Sequence, residues 1–241
     1  MAEDARHIVT SFETDLKRLR DMIAAMGGLV EQAVGDAMTA LLEHDPDIAA
    51  KVVENDPKID VQERMVEQFA VQLLALRQPV ANDLRHVVSA LKVITDLERI
   101  GDYASNIAKR SLVINRVAQN FALSGLAQMA ALVQQNLKTT IDVVGEGDPQ
   151  KAIAVWRADQ MVDDLYNTIF RELITYMMED ARSISACTHL LFIAKNLERI
   201  GDHATNIAEI SYYAATGENL PDFRPKGDLT SGYMHATPAG Q

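Results

Sequence analysis

The sequence predicts an all-α protein: two tandem, repeat-related three-helix bundles, six helices in all, followed by a C-terminal tail. Three observations predict it. Aromatic residues make up only 5% of the 241 residues while hydrophobic residues reach 48%, the composition of a Leu/Ala/Val-rich helical protein rather than of a β-sandwich. Apolar residues recur at spacings of three and four along most of the chain, the period of an amphipathic helix. One stretch also occurs twice: residues 97–108 read LERIGDYASNIA and residues 197–208 read LERIGDHATNIA, identical at ten of twelve positions. A match of that length marks an internal repeat with a period of 100 residues.

The elements follow in order. Over about residues 7–43, Leu16, Leu19, Ile23, Met26, Val30, Val34, Ala37, Met38 and Leu41 form one apolar stripe on a long helix. Gly27-Gly28 inside it reads as a close helix crossing, since no strand precedes it as a phosphate loop would need. Asp45-Pro46 is a stop and restart, with Asp45 as N-cap and Pro46 at the first helical position. The second helix runs to about residue 77, with a kink or break expected at Pro57. After Gln78-Pro79 a third helix, from about residue 82 to 117, carries the first LERIGD copy.

The second half replays this plan. A fourth helix spans about residues 121–144, with Leu126, Met129, Leu132, Val133, Leu137 and Ile141 on its stripe. Asp148-Pro149 repeats the Asp45-Pro46 restart and opens a fifth helix running to about residue 179. A sixth, over about residues 183–215, carries the second LERIGD copy. The expected units are residues 1–118 and 119–216, meeting near residues 117–121. Residues 217–241 hold three of the seven prolines and four of the twelve glycines, and read as a tail without a core of its own.

Charge and cysteine content exclude several classes. A net charge of −11 argues against a nucleic-acid binder, which needs clustered Lys and Arg, and suits a protein that binds cations or docks on a basic partner. The single Cys187 forms no internal disulfide, so nothing points to an oxidising compartment. The opening MAEDARH is acidic and polar, unlike a signal peptide, and no apolar run approaches a membrane span. The expected setting is the cytoplasm.

The chemistry-bearing pattern is acidic. Glu98 and Asp102 lie four residues apart, as do Glu198 and Asp202, with Asn106 and Asn206 four further on. On a helix this spacing stacks the groups on one face, while Leu97, Ile100, Ala104 and Ile107 fall on roughly the opposite one. Aligning the halves on Asp45 and Asp148 places Asp56 and Asp60 opposite Asp159 and Asp163, again pairs at i,i+4. In the first unit the run continues through Glu63 and Glu67; in the second, Tyr166 and Phe170 take those places. If the second and third helices of each unit are antiparallel neighbours, four carboxylates meet at one site. All-oxygen donors suit hard or borderline cations such as Mg, Ca, Mn or Fe. The blander reading is that Arg99, Arg199, Arg64 and Lys58 offset ordinary solvated faces. His203 points about 100° away from Asp202 and is a weak ligand candidate. His86, His189, Trp156 and Tyr166 read as helix-packing residues. Neither a Ser/His/Asp arrangement, GxxxxGK[ST], GxGxxG nor Glu-x-x-His is present to support catalysis or an internal di-iron site.

Two copies of LERIGD followed by x-A-x-N-I-A resemble the PhoU family of bacterial phosphate-uptake regulators. HIVTSFETDL, MGGLVEQAV, ENDPKID, RQPVANDLRHV and LFIAKNLERIGDHATNIAE are each similar to the family's pattern, and the resemblance covers about residues 7–216. It implies two three-helix bundles whose Glu/Asp-x-x-x-Asp motifs hold multinuclear metal clusters at the surface, of iron or another divalent ion such as Mn, Mg or Zn. The motifs that would do so are Asp56 with Asp60, Glu98 with Asp102, Asp159 with Asp163, and Glu198 with Asp202. The resemblance further implies a non-catalytic regulator, expected as a homodimer, that restrains the phosphate-starvation response between the phosphate ABC transporter and its sensor histidine kinase. The alternative is a metal-dependent phosphatase or oxidase built on the same acidic ladders.

Overall fold

The two Asp-Pro restarts set the frame of the fold. In a computed structural model that describes residues 2–116 and 123–221, with side chains from residue 12 onward, the helices are α1 (Ala2–Leu42), α2 (Pro46–Arg77), α3 (Ala81–Ile114), α4 (Ser124–Glu146), α5 (Pro149–Glu179) and α6 (Ile184–Thr216). No strand occurs among the described residues. Asp45 caps α2 by accepting from the backbone N–H groups of Asp47 and Ile48 at 2.8 and 3.1 Å. Asp148 caps α5 the same way through Gln150 N–H at 2.8 Å. Each satisfies donors that a helix start otherwise leaves orphaned. Just before each cap the chain turns through the left-handed region, at His44 (φ 56°) and Gly147 (φ 69°); glycine takes that conformation at no steric cost.

One expectation, the break at Pro57, needs correction, and two are sharpened. Pro57 neither ends nor interrupts α2, which runs on to Arg77. Val52 and Ile59 on either side of it are buried in the core, so packing outweighs the missing hydrogen bond. The last helix starts at Ile184 after a single 3₁₀ turn, Ala181–Ser183, whose first N–H groups are satisfied by Asp180. Of Gly27-Gly28, only Gly27 serves the crossing: a Cβ there would meet Ile141 of α4 at 3.0 Å, while Gly28 faces nothing within 4 Å. The expected unit boundary at 117–121 and most of the tail from 217 lie outside the described residues.

α1–α3 and α4–α6 form two three-helix bundles, and α3 and α6 pack against each other as the seam between them. Arg85 donates to the Ala214 carbonyl at 3.2 Å, His203 Nδ1 lies 2.6 Å from Asp96 Oδ1, and Arg110 lies 3.4 Å from His189. Early residues of α3 therefore meet late residues of α6, so the two are antiparallel. The halves are related by a pseudo-twofold axis that crosses the seam near Ile100 and Ile200. The predicted stripes are the core: Met26, Val30, Val34, Ile100, Ile107, Leu137, Leu197 and Ile207 are fully buried in one cluster spanning both bundles. Burial of this apolar surface is the main stabilising term.

Candidate functional site

The glycine of each LERIGD motif brings the acidic helices together. A Cβ on Gly101 would lie 2.8 Å from Ile59 Cδ1 of α2, and one on Gly201 would lie 3.3 Å from Val162 Cγ1 of α5. Ile59 and Val162 occupy equivalent places in the two halves, each between the residues of an acidic pair. Removing the side chain at the crossing lets α2 approach α3, and α5 approach α6. The pairs then face one another, as the spacing predicts if these helices are neighbours.

In the first unit the approach joins Asp56 and Asp60 of α2 to Glu98 and Asp102 of α3, all half-buried. Burial holds the Asp56 carboxyl above its ordinary value, and the negative charges of Asp102 and Asp60 add to it, opposed by Ser105 and Lys109. The Ser105 hydroxyl faces Asp56 without closing a hydrogen bond of good geometry. Glu98 is raised first by burial, then by Asp102, with Glu63 and Asp60 contributing across the helix pair. Glu63 is raised by burial and by Glu67 and Asp60, so the acidic run on α2 belongs to the same face. The cation there is Arg99, 3.6 Å from Glu98 and 3.5 Å from Asp102. Its side chain is 55% exposed, so water screens much of that pairing.

The second unit assembles the same four positions under different conditions. Asp159 and Asp163 of α5 and Glu198 of α6 are buried, with Asp202 half-buried. Thr205, the counterpart of Ser105, donates to Asp159 Oδ1 at 3.2 Å. Lys195 Nζ reaches Glu198 Oε1 at 2.7 Å and sits 5.0 Å over the Tyr166 ring. The first copy has Thr95 at this place, and its hydroxyl turns back to the Leu91 carbonyl instead. Glu198 Oε2 is buried with no hydrogen-bond partner. Its carboxyl is still held above its ordinary value by burial, with Asp202 and Asp163 adding to the rise and Lys195 opposing it.

The structure thus brings all eight predicted residues into two faces of four. Among the described residues, no three His, Cys, Asp or Glu side chains converge on one point as a closed chelate; the donors spread over neighbouring helix turns, half-exposed on the first unit but largely buried on the second, where the expected surface position does not hold. The amide rung does not join it: Asn206 lines the groove between α3 and α6 beside Asp96, and Asn106 is exposed. His203 also stays away, in the seam between Asp96 and the Tyr103 ring, 5.6 Å from the latter. Of the other cations weighed, Arg199 lies over Tyr103 at 5.6 Å. Sequence reasoning missed Lys195 and the hydroxyls of Ser105 and Thr205. Lys195 was legible as a Lys three residues before Glu198, a spacing that favours ion pairing on a helix, at a position where the first copy has Thr. Cys187 is buried and its thiol is pushed up by burial, the reverse of what a nucleophile needs.

A family model described as the PhoU domain matches residues 23–111 and 126–211. A protein of Caulobacter vibrioides named phosphate-specific transport system accessory protein PhoU homolog is 49% identical over 226 residues, covering 93% of this chain and 98% of that one. A homolog of the same name from Rhizobium meliloti is 45% identical over 227 residues, covering 93% and 95%. Among solved structures, PhoU from Pseudomonas aeruginosa superposes with a TM-score of 0.84 at 40% identity, covering 86% of this chain and 100% of that one. The phosphate transport system regulatory protein PhoU from Streptococcus pneumoniae superposes with a TM-score of 0.82 at 31% identity, covering 87% and 99%.

Proposed function

The chain belongs to the PhoU family, and from that membership we infer that it is a cytoplasmic, non-enzymatic regulator of phosphate uptake. The observation that carries this reading is the match to phosphate-specific transport system accessory proteins over nearly the full length of both chains, 93% and 98% for the Caulobacter relative. In this reading the protein, as a homodimer, restrains the phosphate-starvation response by docking on the phosphate ABC transporter and on its sensor histidine kinase. No helix among the described residues is long and apolar enough to cross a membrane, which suits a protein that meets membrane partners from one side. The net charge of −11 favours basic partner surfaces and speeds encounter at low salt.

The acidic faces are the second part of the proposal. Asp56, Asp60, Glu98 and Asp102 hold divalent metal ions on the first unit, and Asp159, Asp163, Glu198 and Asp202 do so on the second. The donor chemistry fits: every group is a carboxylate, and hard cations take oxygen ligands while keeping some water. On the first unit the open face of neighbouring turns suits several ions better than one caged ion, and the carboxyls of Asp56, Glu98 and Glu198, raised first by burial and then by neighbouring carboxylates, are ones that a bound cation would hold in their charged form. When bound, the ions supply positive charge, and the chain's own carboxylates fix where that charge sits on the docking surface. A metal-dependent phosphatase or oxidase built on the same donors is the alternative; the match to accessory and regulatory proteins supports the non-enzymatic reading.

The genetic test removes the gene and measures alkaline phosphatase and phosphate uptake in phosphate-replete medium. Unrepressed expression is expected. A normal, repressed level would overturn the regulator reading.

A further inference from the structure

Where α3 begins and α6 ends, the two bundles form a partly open cavity of about 320 Å³ that lies away from both acidic faces. Its wall is apolar, with Leu16, Leu19 and Ile23 of α1 and Val93 of α3, closed by Val143 at the end of α4. Arg20 and His86, both exposed, and the buried hydroxyl residues Ser89 and Ser211 also line it. Burial, then the charges of Arg20 and Arg85, hold the His86 imidazole below its ordinary value, so Arg20 and Arg85 are the cations here and His86 offers a neutral N–H donor. Arg20 has no hydrogen bond or ion pair among the described residues. Glu146 also lines the cavity, but Lys151 takes its carboxylate at 2.6 Å. The end of α4 is closed too, by Gly147 N–H donating to the Val143 carbonyl at 2.8 Å.

The pseudo-twofold axis supplies the control. At the opposite end of the seam, the positions equivalent to Ala90 and Ala214 carry Leu190 and Ile114, both buried. In place of Arg20, the corresponding residue of the second unit is Leu123, packed on the core. At this end the chain thus has two alanines and an arginine where the opposite end has three larger aliphatic residues.

We propose that this cavity is a binding site for a small amphiphilic anion, its apolar body against Leu19, Ile23 and Val93 and its carboxylate or phosphoryl head on Arg20 and His86. The volume falls at the lower end of the range for small-molecule sites, which are mostly apolar with a few placed polar groups. An exposed guanidinium beside an apolar wall, with no partner among the described residues, can bind such heads through charge-assisted hydrogen bonds. The site lies between the bundles, so a ligand there touches α1, α3, α4 and α6 together. The inference does not depend on the metal proposal or on the regulatory one.

The test titrates the full chain by calorimetry with octanoate, n-octyl phosphate, 1-octanol and inorganic phosphate. Saturable binding of octanoate, octyl phosphate or both is expected, with the stronger of the two identifying the head group; octanol and phosphate bind far more weakly. Arg20→Ala, at an exposed position, is expected to weaken the anion by roughly tenfold or more, the worth of a charge-assisted hydrogen bond. Ala90→Leu and Ala214→Ile install what the opposite end already carries and should abolish saturable binding with helicity intact. Two variants are used so that one failing to fold does not end the test. Absence of saturable binding by all four probes would overturn the proposal, as would octanol binding as well as the anions. So would octanoate affinity that ignores both the filling variants and Arg20→Ala.

Discussion

The two acidic faces have the same four carboxylate positions and opposite ways of tolerating them. On the first unit the groups stay half-buried, and the nearby cation, Arg99, is mostly in water. On the second, three of the four carboxylates are buried, and Lys195, lying over Tyr166, neutralises Glu198 from inside. The Glu98 side chain is 20% exposed and the Glu198 side chain 7%, so the same residue type in the same motif meets two dielectric environments. Replacing Glu63 by Tyr166 at the equivalent place turns a fifth carboxylate into the floor under a lysine. Repetition of a motif therefore does not mean repetition of a site. The first face is an open, undercompensated anion cluster; the second already contains a cation.

The largest effect that would break this comparison is on stability. Lys195→Met leaves Glu198 buried without its partner, and losing one member of a buried pair costs several kcal/mol. Discounted because the Lys195 side chain is 32% exposed, the expected loss is about 2–3 kcal/mol. Arg99→Ala on the open face should cost about 1 kcal/mol or less. Urea unfolding of the two variants measures the difference, and equal losses would show that the faces are not distinct in burial.

Cation binding should differ next. Because Lys195 already occupies the second face electrostatically, Mn²⁺ should load the first face more tightly. Asp102→Asn keeps the side-chain shape but removes a charged ligand, and should weaken that loading roughly tenfold, about 1.4 kcal/mol. Asp202→Asn should change total binding less. Calorimetry and metal content, with circular dichroism to check helicity, read both. If the double variant carries as much metal as the unaltered protein, the faces are only solvated helix surfaces.

The smallest effect is the pH dependence of the metal-free protein. Asp56, Glu63, Glu98 and Glu198 all have carboxyls raised in the folded state, chiefly by burial. A raised carboxyl binds its proton more tightly folded than unfolded, so its contribution is fully present below the ordinary values of 3.8 for Asp and 4.5 for Glu. That contribution is lost as pH rises through the folded value. Against Glu98→Gln, the unaltered protein should therefore gain stability on going from pH 7 to pH 5, by a few tenths of a kcal/mol for the repelling i,i+4 pair. Glu198→Gln should show a steeper version, since that carboxyl is the more buried. Thermal midpoints across this range decide it; a difference independent of pH for both variants would mean that neither carboxyl is perturbed.

The helices were legible in the chain alone, because they depend on local rules. The apolar period, the Asp-Pro restarts and the duplicated LERIGD marked six helices, their order and the buried face of α1, α3, α4 and α6; Asp45 and Asp148 cap as their residue types require. The chain alone also fixed the acidic pairs, since i,i+4 stacking needs nothing beyond the helix. Tertiary structure decided what happens between helices. The spacing alone did not say that Gly101 and Gly201 draw α2 onto α3 and α5 onto α6, because that depends on Ile59 and Val162 arriving from other parts of the chain. Nor did it say that Pro57 leaves α2 unbroken, since the penalty for a missing hydrogen bond is local while the packing that outweighs it is not. The inequality of the two faces is of the same kind. Thr95 and Lys195 differ by one substitution in the repeat, but only the packed helices place the lysine between a buried glutamate and an aromatic ring, where burial rather than residue identity sets its worth.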